Sequence, residues 1–157
     1  MDTLPLNHLK KELLLTAPQD LVDICLKLAK YKKENKELLH YLLYHAHNEI
    51  DYIATVKREI SLYFKENTLY GHVLTKKQFQ KIIKTTNKYI KYSPHKNTEV
   101  ELRIHLSREI KNTENYNYGD RLIENYYDSQ IVKIKKAIEK LHEDLQYDYL
   151  EELKTFE

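Results

Sequence analysis

Five lysines recur at a spacing that could line up against phosphates or carboxylates. With Lys77 as zero and ~100° per helical residue, Lys81, Lys84, Lys88 and Lys91 lie at about 40°, 340°, 20° and 320°, while Phe79, Ile82, Ile83, Thr86, Tyr89 and Ile90 gather near 180°. One face is cationic and the other is core. No acidic residue stands between Thr75 and Asn97 to neutralise the row, and His95 and Lys96 extend it. Like charges at i,i+4 repel, so helix stability alone does not account for the pattern. Such a face fits a polyanion held by charge. Arginine, the usual reader of guanine edges, is confined to Arg58, Arg103, Arg108 and Arg121. The same face would also be satisfied by acids of the chain itself, and Glu143, Asp144, Asp148, Glu151 and Glu152 near the C-terminus are available.

A second set of residues suggests metal. Glu37-x-x-His40 and Glu139-x-x-His142 each have the i,i+3 spacing with which di-iron helical bundles present two ligands from one helix. Such a site is the enzyme alternative for this chain. The faces oppose it for the first pair, since Glu37 and His40 point away from their helix's apolar stripe, whereas His142 flanks its own. His40, His47 and Asp51 also align on one helical stripe, a spacing that can hold a surface Zn²⁺ but is equally an ordinary polar face.

Other chemistries are excluded by composition. Two Gly in 157 residues cannot build a phosphate-cradling loop or a strained nucleophile elbow. The single cysteine, Cys25, lies among Leu21, Ile24 and Leu28 and is expected in the core of a protein kept reduced. No basic segment leads into an apolar run at the N-terminus, and no stretch reads as a membrane span, so a cytoplasmic location is expected. The net charge of +2 selects no partner. Abundant Lys, Asn, Ile and Tyr beside scarce Gly and Ala is the signature of an AT-rich genome, which discounts arguments from lysine or from the 14 tyrosines by number alone.

The elements that must carry these residues are helices. With two Gly and three Pro, little stops a helix once begun. Leu6 to Leu15 forms a first helix, and Pro18 opens a second that runs to about Tyr31. From Asn35 a long helix is expected over Lys36 to Lys65, with Leu39, Leu42, Leu43, Ala46, Ile50, Ile53, Ile60 and Phe64 as its stripe. A loop around Gly71 leads to Thr75, which caps the lysine helix, and Ser93-Pro94 ends it near Tyr92. The next helix carries Val100, Leu102, Ile104, Leu106 and Ile110 on two faces, as a helix between neighbours would. After a turn from Asn112 to Asp120, a last long helix runs to about Leu153. This is an all-α chain, expected as a single domain over residues 1–157, with about six helices in hairpins stacked as a short α-solenoid-like or bundle domain.

Lys30-Tyr31 followed by Asn35-Lys36-Glu37-Leu38 returns as Lys91-Tyr92 followed by Asn97-Thr98-Glu99-Val100, which suggests two copies of one helix-turn-helix unit. The run Leu28-Ala29-Lys30-Tyr31-Lys32-Lys33-Glu34-Asn35-Lys36-Glu37-Leu38-Leu39-His40-Tyr41-Leu42-Leu43, with Tyr89-Ile90-Lys91-Tyr92-Ser93, resembles a family of small helical proteins from Bacteroidetes-type bacteria. The resemblance implies helical hairpins and supplies no catalytic motif. The function expected is that of a non-enzymatic interaction module, without a cofactor, that binds a protein partner or a second copy of itself. Nucleic acid bound through the lysine face is the alternative partner.

Overall fold

Pro18, Asn48, Thr75 and Pro94 stand at the joints of the chain, because each favours an end or a beginning of a helix. The structure, a computed structural model, describes residues 3–69, 72–113 and 121–155. Among these there are eight helices and no strand: α1 Leu6–Leu15, α2 Pro18–Tyr31, α3 Lys33–Tyr44, α4 Glu49–Asn67, α5 Lys76–Tyr92, α6 Lys96–Lys111, α7 Arg121–Ile138 and α8 Glu143–Lys154. The chain is all-α. No described helix is long and apolar enough to cross a membrane. The expected turn from Asn112 to Asp120 lies largely outside the described residues, as does Gly71 of the expected loop before Thr75.

There are eight helices rather than about six because both expected long helices are broken. Asn48 accepts a hydrogen bond from the Asp51 backbone N–H at 3.2 Å, and Glu49 and Asp51 place negative charge in the first turn of α4. A side-chain cap and favourable charge at a helix start outweigh continuation through His45 to His47. Further on, α7 tightens through i,i+3 bonds from Lys140 N–H to Ala137 and from Leu141 N–H to Ile138. His142 is then extended, and Glu143 and Asp144 open α8. The first break resets the apolar register. The buried stripe of α4 is Tyr52, Val56, Ile60 and Phe64, whereas Ile50 is exposed.

Contacts divide the chain into two compact units, one through His45 and one from Ala46. In the first, α2 and α3 pack together and the Asn35 side chain donates to the Leu28 carbonyl at 2.9 Å. Tyr41 is the one buried residue described in its three helices. Cys25 is exposed, contrary to the expected core position, because the apolar arc of α2 is wider than the surface α3 covers.

In the second unit α6 is central and packs against α4, α5 and α7, while α8 packs on α7. Val100, Leu102, Ile104, Leu106 and Ile110 are buried, and alternate residues of a helix point to opposite sides, so α6 is covered on two faces. Ile60 and Phe64 of α4, Phe79 and Ile82 of α5, and Ile123, Tyr127, Ile134 and Ile138 of α7 complete the core. Arg103 is buried in it without an unpaired charge: it donates to Glu99 at 2.8 Å and to the buried Gln130 of α7 at 3.0 Å. Both Lys-Tyr repeats mark the same kind of junction, with Tyr31 ending α2 before α3 and Tyr92 ending α5 before α6.

Candidate functional site

The lysine helix is held at both ends. Thr75 and Gln78 form a capping box, with the Thr75 backbone N–H donating to Gln78 Oε1 at 2.8 Å. Two tyrosines of α4 tie down its length: the Tyr63 hydroxyl donates to the Gln78 carbonyl at 3.0 Å and the Tyr52 hydroxyl to the Tyr89 carbonyl at 2.9 Å. Burial pushes the Tyr63 hydroxyl above its ordinary pKa, so it stays a donor. With Phe79, Ile82 and Thr86 buried, the opposite face cannot turn inward.

That face is where the lysine periodicity placed it. Lys77, Lys81, Lys84 and Lys91 are exposed and Lys88 is half-buried. Among the described residues Lys77, Lys84 and Lys91 make no ion pair. The Lys81 ammonium lies 5.7 Å from the Tyr63 ring centroid and that of Lys88 lies 5.1 Å from Tyr89, whose ring meets Tyr92 at 6.1 Å. Three of the five acids near the C-terminus are engaged elsewhere: Glu151 with Lys154 at 2.5 Å, Glu152 with Arg108 at 2.8 Å, and Asp144 with His142 at 3.3 Å. Lys96, the extension of the row, donates to the Lys140 carbonyl at 3.3 Å, and His95 stands 4.0 Å from Glu49.

No family model, curated protein or solved structure matches the chain. The chemistry must therefore be read from the side chains.

The residues singled out for metal are not brought into one site. Glu37 and His40 lie on α3, where Glu37 meets Lys33 at 3.8 Å and the His40 ring packs 4.8 Å from Tyr44. His47 falls in the turn and Asp51 on α4, so the break at Asn48 removes the continuous helix that aligned them with His40. Glu139 and His142 lie beyond the end of α7, where i,i+3 spacing no longer places two side chains on one face. Among the described residues no group of three or more His, Cys, Asp or Glu side chains gathers closely enough to hold a metal ion.

A polar seam between α4 and α6 was not anticipated from the sequence. Glu49 accepts from Ser93 and Thr98, both at 2.5 Å. Lys57 meets Glu101 at 2.5 Å, and the Tyr149 hydroxyl of α8 donates to the other Glu101 oxygen at 2.7 Å. Burial works to raise the Glu101 carboxyl, but the bonds from Lys57 and Tyr149 and the charges of Lys57 and Arg108 outweigh it and hold its pKa below the ordinary value. Burial and the neighbouring Glu101 carboxylate push the Tyr149 hydroxyl up.

Ser61 completes the seam, with its Oγ 2.8 Å from His105 Nε2 and 2.5 Å from Glu109 Oε1. Serine, histidine and glutamate together raise the question of nucleophilic catalysis. Glu109 lies 3.5 Å from the same Nε2 that faces Ser61, whereas a triad carboxylate must hold the other ring nitrogen to set the tautomer. Glu109 binds the serine rather than orienting the imidazole, so the cluster fastens α4 to α6. Burial keeps His105 below its ordinary pKa despite the nearby Glu109, with the charges of Lys57 and Arg108 acting in the same direction as burial. The i,i+4 run Glu101, His105, Glu109 is visible in the sequence, but its partners on α4 stand 44 to 48 residues away.

Proposed function

We propose that the protein works by binding rather than by catalysis, and that the lysine face of α5 is the surface offered to a polyanionic partner. The observation that carries this reading is the exposure of Lys77, Lys84 and Lys91 without an ion pair among the described residues, on a helix whose other face is committed to the core. An acidic segment of a partner protein is the first reading. Flexible ammonium stems adapt to carboxylates that are not presented in a planar, bidentate array. Nucleic acid is the second, favoured by the rings of Tyr63 and Tyr89 beside Lys81 and Lys88, since a ring next to a phosphate-seeking charge can take a stacked base. In the same reading the α2–α3 and α5–α6 junctions are two copies of one hairpin unit of the kind that α-solenoids repeat, and the protein acts in the cytoplasm.

Fluorescence anisotropy tests it, with labelled single- and double-stranded oligonucleotides and a labelled polyglutamate peptide as probes, at low and physiological salt. The chain is compared with a Lys77→Glu, Lys84→Glu, Lys91→Glu variant. Binding that weakens with salt and is lost in the variant supports the reading, and the better probe separates protein from nucleic acid. No binding of any probe by the unmodified chain at low salt overturns it.

A further inference from the structure

Charge is mixed along six of the eight described helices and separated on two. α1, α2, α3, α4, α6 and α7 each carry both signs, whereas α5 has six lysines and no acid, and α8 has five acids and one lysine. The acids of α8 are ordered as the lysines of α5 are. With Glu151 as zero and ~100° per residue, Asp144 and Asp148 lie at about 20° and 60°, while the buried Tyr149 and Leu153 lie at about 160° and 200°. Asp144, Asp148 and Glu151 are exposed, so α8 turns an acidic stripe outward, away from the side that packs on α7.

The two stripes share one spacing. Asp144, Asp148 and Glu151 stand at i, i+4 and i+7, as do Lys77, Lys81 and Lys84, and again Lys84, Lys88 and Lys91. Taken in the reverse direction the same intervals occur at Lys81, Lys84 and Lys88, so the charges meet in register over ~10 Å whether the helices run parallel or antiparallel. They do not meet within one chain. Tyr149 is bonded to Glu101 and Glu152 to Arg108, which holds α8 against α6 with its acidic stripe facing away. Among the described residues Lys77, Lys84, Lys91 and Asp148 make no ion pair, while Asp144 and Glu151 meet His142 and Lys154, exposed neighbours in sequence whose contacts are worth little.

We infer that the acidic partner of the lysine face is α8 of a second copy of this chain, docked along α5. The inference rests on the polyanion reading of α5 and names its occupant. Charge complementarity chooses that occupant: each copy brings one stripe of either sign, equal in spacing, turned outward and unmatched within its own chain. Tyr147, 68% exposed and about 40° from Glu151 around α8, adds a ring that the lysine ammonium groups can approach. The contact is heterologous, lysine stripe to acidic stripe, so it links one copy to the next. Exposed ion pairs contribute little singly and are screened by salt, so the association is weak and strongly salt-dependent.

Sedimentation velocity of the full chain, from low to high micromolar concentration and at low and high salt, tests the inference. The expected result is a species heavier than the monomer that grows with concentration at low salt and disappears at high salt. Two variants are then compared. Lys77→Glu, Lys84→Glu, Lys91→Glu reverses the first stripe; Asp144→Asn, Asp148→Lys, Glu151→Lys reverses the second, with Asn sparing the first turn of α8 a positive charge. All six positions are exposed, and circular dichroism checks that the helices are kept. Association is expected to fall at least ten-fold in either variant alone and to return when the two are mixed, because the unaltered α8 of the first meets the unaltered α5 of the second. A monomer at every concentration at low salt overturns the inference, as does association that either variant leaves intact, or a mixture no better than its components. A chain that binds the polyglutamate probe yet stays a monomer overturns this inference and leaves the polyanion reading standing.

Discussion

Lys57 and Glu101 meet at 2.5 Å across the α4–α6 seam, and the ion pair is closed on its other side by Tyr149. The folded state holds the Glu101 pKa down, so folding favours the carboxylate. The resulting stability is present above the unfolded-state pKa, near 4.5, and is lost as pH falls through the lower folded-state value. Glu101→Gln keeps the size and removes the charge. It is expected to lower stability by about 1 kcal/mol at neutral pH, with a smaller loss in acid. Denaturant midpoints of both proteins across the acid range check this, and parallel curves would contradict it.

His105 contributes with the same sign by a different route. Its folded-state pKa is depressed below 6.5, so the fold favours the neutral ring and the unfolded chain binds the extra proton first. Stability is full above pH 6.5 and declines as pH falls through the folded-state value. In an NMR titration the His105 ring is expected to change protonation below pH 6.5. His105→Gln is expected to reduce the slope of stability against pH in that window. A His105 titration at or above pH 6.5 would remove the basis for the prediction.

The lysine helix was legible in the sequence because its signals are local. Thr75 with Gln78 begins it, Ser93-Pro94 ends it, and its two faces are separated by residue type, so periodicity alone orients it. The two-sided burial of α6 was legible for the same reason. The break at His45 to Asn48 was not, since no Gly or Pro marks it and the apolar pattern runs on through Ala46 and Ile50. An alignment of His40, His47 and Asp51 drawn on one continuous helix could not survive that break. The seam of Lys57, Ser61, Glu101, His105 and Glu109 was hidden for another reason: each side chain is an ordinary polar residue until the opposing helix is placed.

Asn48 tests whether the break is set locally. Its side chain accepts from the Asp51 N–H, and its backbone is outside the helical region, with φ −141° and ψ 78°. Asn48→Ala is expected to cost about 1 kcal/mol by removing the cap. Asn48→Asp should be nearly neutral, since the carboxylate accepts the same bond and suits the positive end of α4. Thermal or denaturant melts of the two variants decide it, and equal loss in both would show that the break does not depend on this cap.

A lysine row retained for binding should weaken the helix that carries it, and that conflict can be measured. Lys84 stands three residues after Lys81 and four before Lys88, so it is repelled from both sides along α5. Lys84→Glu converts these repulsions into attractions, with the acid four residues before Lys88 in the more favourable order. The expected gain in stability is a few tenths of a kcal/mol, read as a higher denaturant midpoint with an unchanged slope. The same variant is expected to lose affinity for the anionic probe and to show a shallower salt dependence. Stability gained while binding is lost would mark Lys84 as a residue kept for its partner. A variant that loses stability would instead show that Lys84 is balanced by acids of its own chain.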